Sequence, residues 1–135
     1  MKEVKGFKNS YILTEQGIIK TNLLIENGII TKIGDFEVDG LTLLDEDKIV
    51  VPGFIDEHIH GSSGSDVIDG TIASLTNIAE SLLEEGTPAF LATTTTSSKE
   101  VLEKSLANVK EYIGKKNNDE IFEYLNNSYY HIRQK

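Results

Sequence analysis

Two of the chain's three histidines stand one residue apart, in Pro52-Gly53-Phe54-Ile55-Asp56-Glu57-His58-Ile59-His60-Gly61. The apolar, β-branched content of Phe54 to His60 predicts a strand. Side chains alternate across a strand, so strict alternation puts Asp56, His58 and His60 on one face and Glu57 and Ile59 on the other. Histidines at i and i+2 lie roughly 7 Å apart at Cα, which lets both imidazoles converge on one divalent ion. Neutral imidazole suits Zn²⁺ or Fe²⁺, and a carboxylate beside the pair, Asp56, would orient the rings. A bare His-x-His also occurs as two solvated polar residues. Three features favour the metal reading: the pair ends a predicted strand, a Gly-rich segment (Gly61-Ser62-Ser63-Gly64-Ser65) follows with room for a ligand, and few other histidines exist. His131, in Tyr130-His131-Ile132-Arg133, reads as an ordinary surface residue.

The other polar clusters have plainer readings. Asp66 and Asp69 could order the loop after the histidines, though capping the following helix explains them better. Thr93 to Thr96 could line a site with hydroxyls, but β-branched residues at a strand end are more often structural. Tyr129 and Tyr130 suit packing, and Glu84-Glu85 a solvated helix surface. With no cysteine, disulfides and thiolate metal sites are excluded. A net charge of -9 argues against nucleic acid as a partner. No apolar run approaches the ~20 residues that span a bilayer, and no signal peptide is visible. A cytoplasmic protein without membrane association is expected.

The elements that must position the pair fall into two groups. Ser10–Thr14, Ile18–Glu26, Ile29–Ile33, Leu41–Leu44 and Ile49–Val51 read as short strands, with Asn27-Gly28 a hairpin turn. Residues 1–51 thus form a small β unit. From Pro52 the pattern changes to strand, helix, strand, helix. Ile72, Leu75, Ile78, Ala79, Leu82 and Leu83 recur at helical spacing up to Gly86, and Ala89 to Ala92 reads as a buried strand. Ser97 with Glu100 resembles a capping box for a second helix, with Leu102, Leu106, Val109 and Ile113 as its apolar stripe and Gly114 as its end. Residues 52–114 therefore predict two parallel βα units, an α/β class. Residues 115–135 read as a tail: a polar linker from Lys115 to Asn118, a short helix capped by Asp119 with Ile121, Phe122 and Leu125, then no clean period.

At Pro-Gly-Phe-Ile-Asp-x-His-x-His-Gly the chain resembles the first barrel strand of the amidohydrolase superfamily. Gly61, Gly64, Asp66, Asp69 and Gly86-Thr87-Pro88-Ala89-Phe90-Leu91-Ala92-Thr93 are similar to its N-acetylglucosamine-6-phosphate deacetylase branch. Leu24 to Gly34 resembles the small β-sandwich preceding that barrel. Pro88 and Ala92 depart from the branch, which usually has threonine and proline there. The resemblance implies an incomplete TIM-type barrel: part of the small sandwich over residues 1–51, then the first two βα units. It implies His58 and His60 as metal ligands, Asp56, Gly61 and Asp66 as supporting or loop residues, and a divalent cofactor, Zn or Fe, held weakly or not at all by this chain alone. The family's reaction would be metal-dependent hydrolysis of the acetamide of N-acetylglucosamine 6-phosphate to glucosamine 6-phosphate and acetate. The branch's later glutamate ligand, further histidines and proton-moving aspartate find no match here, so no catalytic residue is assigned. The expectation is an N-terminal fragment, inactive alone, that either self-associates through an exposed sheet edge or borrows a partner segment to cover it. A fragment of another amidohydrolase (a cyclic amidase or deaminase) and a non-catalytic metal-binding or interaction module are the alternatives.

Overall fold

The computed structural model describes residues 4–116 and 130–134. Their contacts divide into two compact units, Met1–Pro52 with Tyr129–Lys135, and Gly53–Ser128.

The first unit is a six-stranded sheet. Strands β1 (Val4–Thr14), β2 (Gly17–Glu26) and β3 (Ile29–Gly34) form an antiparallel meander. The β2–β3 turn is Asn27-Gly28, both at positive φ (52° and 77°), the backbone that this residue pair tolerates best. Beyond the turn, β4 (Thr42–Leu43) and β5 (Lys48–Pro52) return parallel to β1. Leu23 and Ile25, two apart on β2, bury one face with Ile12 and Val50, and Phe7 and Leu44 pack beside them. The first strand begins six residues before the expected Ser10. Its polar start conceals it, and the register shifts between Phe7 and Ser10. Asn9 sits there at positive φ (49°). The buried Asn22 side chain mends the break: its Oδ1 accepts from Asn9 N (2.7 Å) and its Nδ2 donates to Phe36 O (2.8 Å).

The tail departs from expectation at both of its ends. β10 (Tyr130–Gln134) adds antiparallel to the edge of β5, from Tyr130 opposite Pro52 to Gln134 opposite Lys48. A strand so distant from its partner leaves no local signature. The expected linker starts too early, because α2 (Lys99–Lys116) runs through Gly114, and glycine costs a helix interior only about 1 kcal/mol relative to alanine. The expected helix from Asp119 lies outside the described residues.

The second unit alternates strand and helix. β6 (Ile55–Ile59) pairs parallel with β9 (Ala89–Ala92). Between them run β7 (Gly61–Ser62), β8 (Ser65–Asp66), a 3₁₀ turn (Val67–Asp69) and α1 (Ile72–Glu84). Leu75, Ile78 and Leu82 of α1 bury against Val67 and Tyr112, with Ile59, Phe90 and Ala92 supplying the sheet's side of this core. Helix α1 ends as expected near Gly86: Gly86 N donates to Leu83 O (2.9 Å) and Thr87 N to Leu82 O (2.8 Å), a paired closure that satisfies two terminal carbonyls.

Several local expectations are corrected here. Asp66 and Asp69 cap the 3₁₀ turn reciprocally, not α1, whose cap is Thr71 accepting from Ser74 N. Helix α2 starts one residue late for Ser97; Ser98 accepts from Val101 N through its hydroxyl (3.4 Å). Its inward face is Ser105, Asn108 and Tyr112, whereas Leu106 and Ile113 are about 60% exposed. A polar trio wins the interior because Tyr112 joins the core of α1 and Ser105 returns its hydroxyl to Val101 O (2.8 Å). β9 is not fully buried either: Ala89 and Leu91 face outward while Phe90 and Ala92 face the helices.

Candidate metal centre

His58 and His60 share a face, as their spacing predicts. Their Nε2 atoms lie 3.3 Å apart and the rings meet edge-on, centroids 5.0 Å apart at 86°. His58 is exposed and His60 half-buried. Two bare imidazole nitrogens at that distance repel, so something positive, a proton or a cation, must lie between them. A tetrahedral ion holding two imidazole nitrogens at about 2.05 Å each keeps them ~3.3 Å apart. The donor pair therefore fits a divalent ion of the zinc class.

The second ring nitrogen of His60 is also engaged: Nδ1 lies 3.0 Å from Thr93 O, just beyond β9. Thr93 N in turn donates to Ile59 O (2.9 Å), so this seam is bonded on both sides of His60.

The alternation expected around the pair is broken. Asp56 stands opposite Phe90 and Ile59 opposite Ala92, three residues on β6 against two on β9. Glu57 and His58 together oppose the single residue Leu91, as in a β-bulge. Phe90, Ala92 and Ile59 all pack toward the helices, so Asp56 belongs to that side and not to the histidines' face. Its Oδ1 accepts from His58 N (2.9 Å), fastening the backbone of the bulge. Asp56 thus touches the histidine strand through its main chain rather than through a ring.

The glycine-rich segment is a closed hairpin and not an open loop. Gly61 pairs with Asp66 and Ser62 with Ser65, and Ser63-Gly64 turn at positive φ (49° and 79°). Only glycine fits at position 61, because a Cβ there would overlap the Ser65 carbonyl. Val67 N donates to His60 O (2.8 Å), closing the segment directly behind the histidine pair. Asp66 therefore serves the loop, at the start of the capped turn. Two α1 residues that sequence reasoning passed over complete this support. Ser81 Oγ meets Ser62 Oγ (2.9 Å) and Ser63 Oγ (2.7 Å), and Asn77 Nδ2 donates to Ser63 O (3.0 Å) and Ser65 Oγ (2.9 Å). Their i, i+4 spacing was the available signal.

Among the described residues, no group of three or more histidine, cysteine or carboxylate side chains comes together. A catalytic zinc site uses three protein ligands, and the two imidazoles fall short of that number. An open depression beside His58 is lined by Phe54, Ile55, Asp56, Glu57 and Thr87. No helix among the described residues is long and apolar enough to cross a membrane.

No family model matches the chain. It is 30% identical over 115 residues to N-acetylglucosamine-6-phosphate deacetylase of Bacillus subtilis (strain 168), a match covering 76% of this chain and 29% of that protein. It is 38% identical over 88 residues to the deacetylase of the same name from Vibrio furnissii, covering 62% and 22% respectively. The crystal structure of the deacetylase from Pasteurella multocida shares its fold, with a TM-score of 0.76 at 24% identity over 87% of this chain and 32% of that one. The chain spans less than a third of each of these relatives. It is a relative of the N-acetylglucosamine-6-phosphate deacetylases and corresponds to their N-terminal part.

Proposed function

We propose that this chain supplies the metal-holding strand of a deacetylase site acting on an acetylated amino-sugar phosphate, N-acetylglucosamine 6-phosphate being the substrate its relatives' names point to. The observation that carries this reading is the pair of Nε2 atoms 3.3 Å apart on one face, one of them backed by a main-chain carbonyl. His58 and His60 would hold a divalent ion, zinc or iron. When bound, such an ion supplies Lewis-acid polarisation of the amide carbonyl and a more acidic water. The chain's own residues keep the two rings converged: Thr93 O fixes one ring, Asp56 the backbone before the other, and the hairpin the backbone after both.

In the same reading, residues 53–116 are the first two βα units of a (β/α)₈ barrel, and the first unit is part of a small sandwich domain. Parallel pairing of β6 with β9 through a helical connection supports this. Two imidazoles fall short of a catalytic ligand set, so the chain alone binds metal weakly and does not turn over. The two-stranded β6–β9 sheet leaves backbone groups on both edges, and Ile55 and Leu91 are 70% and 61% exposed, so copies of the chain associate there. The absence of cysteine suits a cytoplasmic setting.

Equilibrium dialysis against Zn²⁺ tests the centre. Wild type should retain metal that His58→Ala and His60→Ala lose; equal content in all three removes the site. Incubation with N-acetylglucosamine 6-phosphate should release no acetate, and turnover by the chain alone would contradict the incomplete-site reading. A concentration-independent monomer in light scattering would remove the association.

A further inference from the structure

We propose that Thr93 is a positioning residue for the histidine pair: its main-chain carbonyl fixes the tautomer of His60 and thereby makes the two ligands unequal. The proposal rests on the metal reading above and deepens it. A carbonyl oxygen only accepts, so the 3.0 Å contact from His60 Nδ1 to Thr93 O places the proton on Nδ1. In the neutral ring, Nε2 is then bare and aimed at His58 Nε2. That is the form a ligand needs, prepared before any ion arrives.

The carbonyl is not free to drift. Thr93 N donates across the seam to Ile59 O (2.9 Å), and Thr93 Oγ1 donates back to Leu91 O (3.0 Å). One residue thus both gives and takes at the junction of β6 and β9, on either side of the His60 backbone. The hydroxyl serves the local turn, while the ring is held by the main chain. This gives the threonine run a role at its first member that side-chain chemistry does not explain.

His58 has no such restraint. Among the described residues its Nδ1 has no hydrogen-bond partner, and its Nε2 faces the bare Nε2 of His60 at 3.3 Å. The contact is attractive only if His58 carries its proton on Nε2 and donates. In the metal-free protein the two rings therefore hold opposite tautomers. Metal entry requires His58, and only His58, to change.

Nitrogen-15 NMR of the neutral rings in the metal-free chain reads this directly. His60 should be Nδ1-protonated and His58 Nε2-protonated, and adding Zn²⁺ should move the His58 proton to Nδ1 while leaving His60 unchanged. Metal affinity supplies the second readout. Thr93→Ala keeps the carbonyl and should change affinity by no more than about twofold, whereas Thr93→Pro removes the bond to Ile59 O and should weaken it by about 10- to 100-fold. If Thr93→Pro fails to fold, the wild-type spectrum still decides. An Nε2-protonated or tautomer-averaging His60 in metal-free protein overturns the proposal even if zinc binds. Absence of zinc binding with the predicted metal-free spectrum overturns the metal reading and leaves the Thr93 clamp standing.

Discussion

Helix α2 carries two rival faces, and a pair of alanine substitutions distinguishes them. Leu75 of α1 is 1% exposed in the second unit's core, whereas Leu106 of α2, central to the stripe that periodicity favours, is 60% exposed. Truncating a buried leucine to alanine removes three carbons, about 2.4 kcal/mol of transfer energy at roughly 0.8 kcal/mol each. The residual cavity adds to that, so Leu75→Ala should cost about 3–4 kcal/mol, within the range of measured core truncations. Leu106 keeps less than half of its surface covered, which scales the transfer contribution to about 1 kcal/mol. Alanine's better helix propensity returns a few tenths, leaving a cost of about 0.7 kcal/mol. Urea unfolding followed by helical circular dichroism, at a concentration where light scattering shows one species, measures both. Equal costs, or a larger one for Leu106, would mean that α2 turns the aliphatic stripe inward and that the placement of Tyr112 and Ser105 is wrong.

Ser98→Ala should destabilise the chain by about 1 kcal/mol through loss of the α2 cap, and Ser97→Ala should be silent in the same urea experiment. Asn22→Ala strands Asn9 N and Phe36 O in the first unit and should cost about 2 kcal/mol, read from the loss of sheet signal at lower denaturant. The Glu100 carboxyl is held below the usual carboxylate range, first by its own backbone N–H and then by the Ser98 hydroxyl. It therefore contributes stability above that range, and the contribution is lost as pH falls through the lowered value. Glu100→Gln should flatten the acid limb of the thermal midpoint against pH, and an unchanged limb would contradict the assignment.

Much of this architecture is legible in residue order because local rules decide it. Asn27-Gly28 reports its turn through the two positive φ values it adopts, and Leu75, Ile78 and Leu82 report the buried face of α1 through their spacing. The histidine pair is legible for the same reason, since i, i+2 in a strand settles which way both rings point. What escapes is set by neighbours. The face of Asp56 depends on an extra residue in β6 that only the register with β9 reveals. The orientation of α2 follows from where Tyr112 finds a core, which aliphatic periodicity alone misjudges. The acceptor for His60 is a main-chain atom 33 positions away and has no side-chain signature. Asp66 looks like a helix cap and is one, for a 3₁₀ turn that intervenes before α1.

Polar positions on the outer half of an amphipathic helix are the usual places to recolour a protein for solubility, crystallisation or labelling. Asn77 and Ser81 would be chosen on that basis. Here they grip the two-stranded hairpin that follows His60, and that hairpin has only two residues per strand to hold itself. Remodelling this stretch of helix would therefore be felt at the imidazoles, so engineers should treat α1 as scaffolding for the histidine pair and move their handles to the far end of α2.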